Sequence, residues 1–156
     1  MSQPTVLRGA TTREAITDAL YRCVIGIDNN DHDLLQSAFI KNQADAILVF
    51  NGNEIKGYDA ILKNVLEPVM PLVTTHIISN IRLDHAEGTN TAYVTAYAYA
   101  QHKRAGEGDD GGAPRLLAGC QYFVDVVRED GDDFWRVKKW AMKVIWRDGD
   151  SSILGH

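Results

Sequence analysis

Two side chains of types that could share a proton open the reading: Asp28, in the stretch YRCVIGIDNND (residues 21–31), and His76, near the start of TTHIISNIRLD. Counting back from Asp28, Ile16, Leu20, Val24 and Ile27 recur at three- and four-residue steps and share one helix face. Asp28 follows Ile27 directly, so it lies at the edge of that buried face rather than opposite it. A carboxylate there is either a cap or a half-buried acid held for chemistry, and the second role needs a partner that exchanges a proton. His76 is the best candidate. An imidazole, with an unperturbed pKa of about 6.5, suits removal of a carbon-bound or hydroxyl proton at neutral pH. A carboxylate beside it would fix the tautomer and favour the imidazolium that forms. No serine or cysteine is placed to complete a nucleophilic triad, so elimination, double-bond migration or enolisation fits better than acyl transfer. The bland alternatives are a solvated or capping Asp28 and a satisfied core histidine at His76.

The elements that must position this pair can be read in order. Thr11-Thr12-Arg13-Glu14 fits a capping box, opening a first helix that runs to about Asp28. Asn29-Asn30 breaks it, and Asp31 can cap a short second helix with Leu34, Leu35, Ala38 and Phe39 inward. Residues 46–50 form an apolar strand, Asn51-Gly52-Asn53 a turn, and residues 54–56 a short return strand. A third helix from Gly57 carries Ile61, Leu62, Val65 and Leu66 inward and stops at Pro68 and Pro71. Four long strands follow, over about residues 74–85, 91–103, 115–128 and 134–147. The second of these alternates Ala92, Val94, Ala96, Ala98 and Ala100 with Tyr93, Thr95, Tyr97, Tyr99 and Gln101. The alternation does not decide which face is concave. Helices first and long meandering strands after predict an α+β fold, a sheet wrapped over three N-terminal helices into a cone that encloses a small-molecule pocket.

The 156 residues suit one domain, expected over residues 11–148, with a flexible arm at 1–10 and a tail at 149–156. The net charge of −5 and the absence of a basic run argue against a nucleic-acid surface. Cys23 and Cys120 lie in apolar patterns without paired spacing and read as buried free thiols in a reducing compartment. No basic-then-apolar leader and no membrane-length apolar stretch is present, so a cytoplasmic protein with no membrane role is expected. Gly106-Glu107-Gly108-Asp109-Asp110-Gly111 matches G-x-G-x-x-G, but it carries three acids and precedes a strand, which speaks against phosphate binding. His85 and His102 lack metal-ligand spacing, and no metal is expected.

The order helix–helix–hairpin–helix–long strands resembles the nuclear transport factor 2-like fold. Gly26-Ile27-Asp28, residues 75–84 (THIISNIRLD) and residues 135–150 (WRVKKWAMKVIWRDGD) resemble, in turn, the acid, the histidine strand and the last strand of its SnoaL-like branch. That branch includes scytalone dehydratase, bile-acid dehydratase, hexachlorocyclohexane dehydrochlorinase and fungal polyketide and meroterpenoid isomerases. The resemblance implies a cofactor-free lyase or isomerase acting on a hydrophobic oxygenated small molecule of secondary metabolism, with His76 as base and Asp28 orienting it. A second histidine, used by scytalone dehydratase, has no assigned counterpart, because His85 and His102 fall near strand ends. The alternatives are an aldol-type polyketide cyclase and a non-catalytic binding or assembly module of the same fold.

Five aromatic residues are further candidates for substrate contact. Tyr97 lies on the tyrosine face, which lines either the pocket or a subunit interface. Tyr21 and Tyr58 either reach the cavity mouth or pack in the core. Tyr122 and Trp140, at mid-strand, are either core or ligand contacts. The long strands leave apolar area that helices cannot cover, so a homo-oligomer is expected, a dimer ahead of a trimer.

Overall fold

The structure, a computed structural model, describes residues 3–155. Helix α1 (Thr12–Asp28) starts at the expected capping box: the Thr11 hydroxyl accepts from the Glu14 amide, and Glu14 accepts from the Thr11 amide at 2.7 Å. Two otherwise orphaned helix donors are satisfied in this way. Helix α2 (His32–Ser37) is capped by Asp31, whose carboxylate accepts from the Leu34 amide at 3.0 Å. The two helices touch at Gly26, where a Cβ would stand 2.8 Å from both the amide nitrogen and the Cβ of Leu35. Only glycine permits that approach, and it places the last turn of α1, with Asp28 on it.

Arg22, one turn before Gly26 on the same face of α1, anchors the helix further. It is buried, and it donates to Asp18, to the Ser37 carbonyl and hydroxyl, and to the Trp135 carbonyl, with its guanidinium 3.9 Å from the centre of the Phe134 ring. A buried cation without such partners would be strongly destabilising.

Strands β1 (Ile47–Phe50) and β2 (Asn53–Lys56) form a hairpin through Asn51 and Gly52, both at positive φ, as an Asn-Gly turn requires. Helix α3 (Tyr58–Ile61) is shorter than the periodicity predicts. After one α turn it widens into a π turn over Leu62–Leu66. The apolar positions Ile61 and Leu66 remain buried, which is why periodicity alone did not reveal the change.

The long strands are β3 (Val73–Asp84), β4 (Thr91–Lys103), β5 (Leu116–Arg128) and β6 (Trp135–Gly149). The six strands lie in the order β2-β1-β6-β5-β4-β3, antiparallel except for the parallel β1–β6 pair. Register shifts in β3 between Ser79 and Arg82, where Asn80 takes a positive φ, and in the β5–β6 pair increase twist and bend the sheet. The concave face packs on α1 and encloses the core.

Between β4 and β5 the glycine- and acid-rich segment forms a hairpin loop around the buried Lys103 ammonium, which donates to the carbonyls of Gly108 and Asp110. A strand follows it, not a helix N-terminus.

The tail is more ordered than the sequence suggested. β6 continues to Gly149, and a 3-10 turn at Ser151–Leu154, capped by Asp150, buries Ile153. Residues 3–10 carry no regular element, and Met1, Ser2 and His156, at the ends of the expected arm and tail, lie outside the described residues.

Candidate active site

Asp28 ends α1 facing the start of β3. Its Oδ1 accepts from the Thr74 hydroxyl at 2.7 Å and lies 2.6 Å from His76 Nδ1. Its Oδ2 accepts the backbone N–H of His76 at 2.8 Å. The His76 and Asp28 side chains are only 10% and 16% exposed, so the pair is largely withdrawn from water. Burial pushes the Asp28 carboxyl up, but the bonds from His76 and Thr74 together outweigh it and hold its pKa below the usual value. A carboxylate can only accept, so His76 Nδ1 carries a proton and its Nε2 has the free lone pair.

His76 lines a cavity of about 330 Å³. Apolar side chains dominate its wall, among them Phe50, Val65, Leu66, Met142 and Val144, with Leu154 of the C-terminal turn at one side. The polar groups are few: His76, His102, Asn53, Asn64, Tyr122, Trp140, Cys120 and Arg147. A mostly apolar hollow with a few placed polar groups is the usual form of a small-molecule site. Two other hollows, of about 670 and 570 Å³, lie against the N-terminal segment. Neither includes the Asp28–His76 pair.

His102 is the residue that sequence position concealed. It stands next to the end of β4, yet it is buried between Thr74 of β3 and Leu116 of β5. Its ring meets that of His76 edge-on with centroids 5.5 Å apart, and its Nδ1 lies 3.3 Å from the Leu116 carbonyl. Burial first, and then repulsion from His76 whenever that ring is protonated, hold its pKa below the usual value, which favours the neutral ring. The signal that finds it is parity: His102 continues the inward series Ala92, Val94, Ala96, Ala98, Ala100.

The aromatic candidates divide. Tyr122 and Trp140 line the cavity and meet edge-on at 5.1 Å. The Trp140 indole N–H is buried with no hydrogen-bond partner among the described residues, and burial pushes the Tyr122 hydroxyl pKa up. The other three lie elsewhere. Tyr97 is 44% exposed on the convex face, where its hydroxyl accepts from Gln121. Tyr21, 37% exposed, borders the hollow beside the N-terminal segment. Tyr58 is core, packed on Phe39 at 5.1 Å. Tyr21 and Tyr58 belong to helical faces turned away from the sheet's hollow, and Tyr97 has the wrong parity on β4.

Among the described residues no group of three or more His, Cys, Asp or Glu side chains is placed to hold a metal ion. No described helix is long and apolar enough to cross a membrane.

Residues 8–141 match the SnoaL-like domain, and the chain belongs to that family. It is 41% identical over 143 residues, 92% of this chain and 89% of the other, to terrestric acid biosynthesis cluster protein E of Penicillium crustosum. Among solved structures it resembles a candidate scytalone dehydratase from Novosphingobium aromaticivorans, with TM-score 0.70 and 25% identity over 87% of this chain and 85% of that one. It also shares its fold with hexachlorocyclohexane dehydrochlorinase LinA-type3 of Novosphingobium barchaimii, with TM-score 0.69 and 20% identity over 91% and 92% of the two chains. The α+β cone and the SnoaL-like assignment thus stand.

Proposed function

We propose that this protein is a cofactor-independent acid/base lyase or isomerase that acts on a hydrophobic oxygenated small molecule of fungal-type secondary metabolism. The observation that carries the reading is the 2.6 Å contact of His76 Nδ1 with Asp28, which leaves the opposite ring nitrogen free at an apolar cavity. His76 Nε2 takes a proton beside a carbonyl or a leaving hydroxyl, and Asp28 stabilises the imidazolium that results. The His76 imidazolium returns that proton to the hydroxyl as it leaves as water, or to another carbon in an isomerisation, while the neutral His102 beside it, with Nδ1 turned to a carbonyl, accepts a hydrogen bond from a substrate hydroxyl. The chemistry needs proton transfer alone, so neither metal nor organic cofactor is required.

The likeness to a biosynthesis-cluster protein supports a polyketide or terpenoid intermediate as substrate. A reducing, cytoplasmic setting accords with two cysteines that carry no disulfide and have thiol pKa values pushed up by burial. A homo-oligomer, dimer or trimer, belongs to the same proposal: Ile77, Tyr93, Tyr97, Tyr99 and Trp146 leave exposed apolar area on the sheet that a second copy would cover. Sedimentation showing a monomer at micromolar concentration would remove that part.

The test of the reaction uses extracts of a Penicillium crustosum strain deleted for its cluster protein E, incubated with the purified protein in deuterated water. Mass spectrometry should show either loss of water or uptake of one deuterium, for the wild type and not for His76→Ala. Equal conversion by the two proteins, or activity that vanishes with chelator, would overturn the reading.

A further inference from the structure

His76 and Arg147 lie on one line across the sheet. The register pairs His76 with Ala100, Ala100 with Ala118, and Ala118 with Arg147, so the four residues form a single row over β3, β4, β5 and β6. Strands stand about 4.8 Å apart, which sets the two end residues about 14 Å apart at their Cα atoms before the sheet's curvature shortens the span. All four line the cavity. The two alanines form a flat, low floor, and the imidazole and the guanidinium rise at its two edges.

Arg147 is the only Lys or Arg among the residues that line the cavity, and no Asp or Glu lines it. Arg147 is exposed at the cavity's rim, and among the described residues its side chain makes no ion pair and no hydrogen bond, unlike those of Arg22, Arg104, Arg128 and Arg136. Its charge is felt in the site, where it opposes the burial-driven rise at Cys120 and adds a small downward push at His102, weaker than the upward pull of Asp28 there. Trp140 and Asn53, with Asn64, whose side-chain amide already donates once to the Ala60 carbonyl, add N–H donors to the same wall. The cavity therefore sets one positive charge and several donors at the edge opposite the Asp28–His76 pair. An arginine fork recognises a planar oxyanion best, because two parallel N–H groups match its two oxygens.

We infer that Arg147 is an anion anchor. The molecule that enters this cavity carries an oxyanion, a carboxylate or an acidic enol, on an apolar skeleton that lies over Ala100 and Ala118, with the reacting carbon at the His76 edge. The inference deepens the proposed function and rests on it for the His76 end only. A neutral polyketide would leave Arg147 to water, whereas an acidic one is oriented end to end by charge.

The experiment is calorimetric titration of the full chain with two probe pairs: 2-naphthoate against methyl 2-naphthoate, and 4-hydroxycoumarin against 4-methoxycoumarin. The wild type should bind at least one acid more tightly than its methyl derivative by about 10- to 100-fold, the usual worth of a charge-assisted hydrogen bond. Whichever acid binds more tightly identifies carboxylate or enol as the recognised group. Arg147→Gln should abolish that preference with little change for the methyl derivatives, and Arg147→Lys should keep part of it. His76→Asn should keep it all. Equal affinity for acid and methyl derivative in the wild type, a preference that survives Arg147→Gln, or no binding of any probe at millimolar concentration would overturn the anchor. The two readings fail separately. A preference that persists in a fully active His76→Asn protein would refute the acid/base chemistry and keep the anchor, and an inactive His76→Asn with no preference would do the reverse.

Discussion

The two faces of β4 are built from the same alternation and do opposite things. Toward the concave side it presents Ala92, Val94, Ala96, Ala98, Ala100 and His102, all buried; toward the convex side it presents Tyr93, Tyr97 and Tyr99, all more than a third exposed. Large aromatic rings with hydroxyls are the obvious candidates for ligand contact, yet they lie on the outside. The difference is one of volume. Inside a closed cone every side chain competes for the space a ligand would fill, so the face that encloses a cavity is the one with small residues. On the convex side nothing opposes bulk. There the Trp146 ring lies against Gly119, where an added Cβ would stand 2.3 Å from its Nε1, and meets Tyr99 at 5.9 Å.

The largest expected contrast is chemical. His76→Ala, on the concave side, should bring turnover to background while circular dichroism stays native, whereas Tyr97→Ala, on the convex side, should leave turnover unchanged in the same assay. Asp28→Asn comes next, with turnover lowered by about 10²–10⁴-fold. One amide oxygen cannot replace two carboxylate oxygens that accept from Thr74, the His76 ring and the His76 backbone, so thermal unfolding should also show a loss of about 1–3 kcal/mol. The volume argument is tested by Ala100→Leu, which fills the floor beside His76. Ligand binding by calorimetry should weaken by about tenfold or more, in line with the 1–3 kcal/mol strain of an overfilled pocket. Tyr99→Leu, next along the strand but outside, should bind as the wild type does.

The smallest effect is a pH dependence. His102 has a folded-state pKa below its free value of 6.5, so the unfolded chain binds that proton more tightly. The stability linked to this ring is therefore full above about pH 6.5 and is lost as pH falls through the folded value. Asp28 adds a second loss further down, as pH drops below 3.8 toward its own depressed pKa. In calorimetric scans the wild type should lose a few degrees between about pH 7 and pH 5 that His102→Gln does not lose.

Most of the fold was legible in the chain. The capping box at Thr11, the Asn51-Gly52 turn and the period-two alternation of β4 are local signals, and each sits where local physics puts it. Asp28 and His76 could be paired on a resemblance and on complementary chemistry. What sequence could not supply was anything set by curvature. Which face of β4 is concave, whether a histidine near a strand end is buried, and whether the last residues pack on the domain all depend on how distant strands close around a space. Tyr97, Tyr21 and Tyr58 were candidates by residue type alone, and Arg147 was invisible because its meaning lies in a row of partners on three other strands.

Asp28 holds both the ring and the backbone of His76, and the two partners are consequently not equally replaceable. If His76 becomes another residue, its amide remains, and Asp28 still receives that N–H and the Thr74 hydroxyl; the helix stays fastened to the strand. If Asp28 is lost, three bonds go at once, and the mouth of the cone loses its clasp along with its charge. Replacement at His76 therefore leaves the helix and the strand joined, and replacement at Asp28 loosens the joint between them.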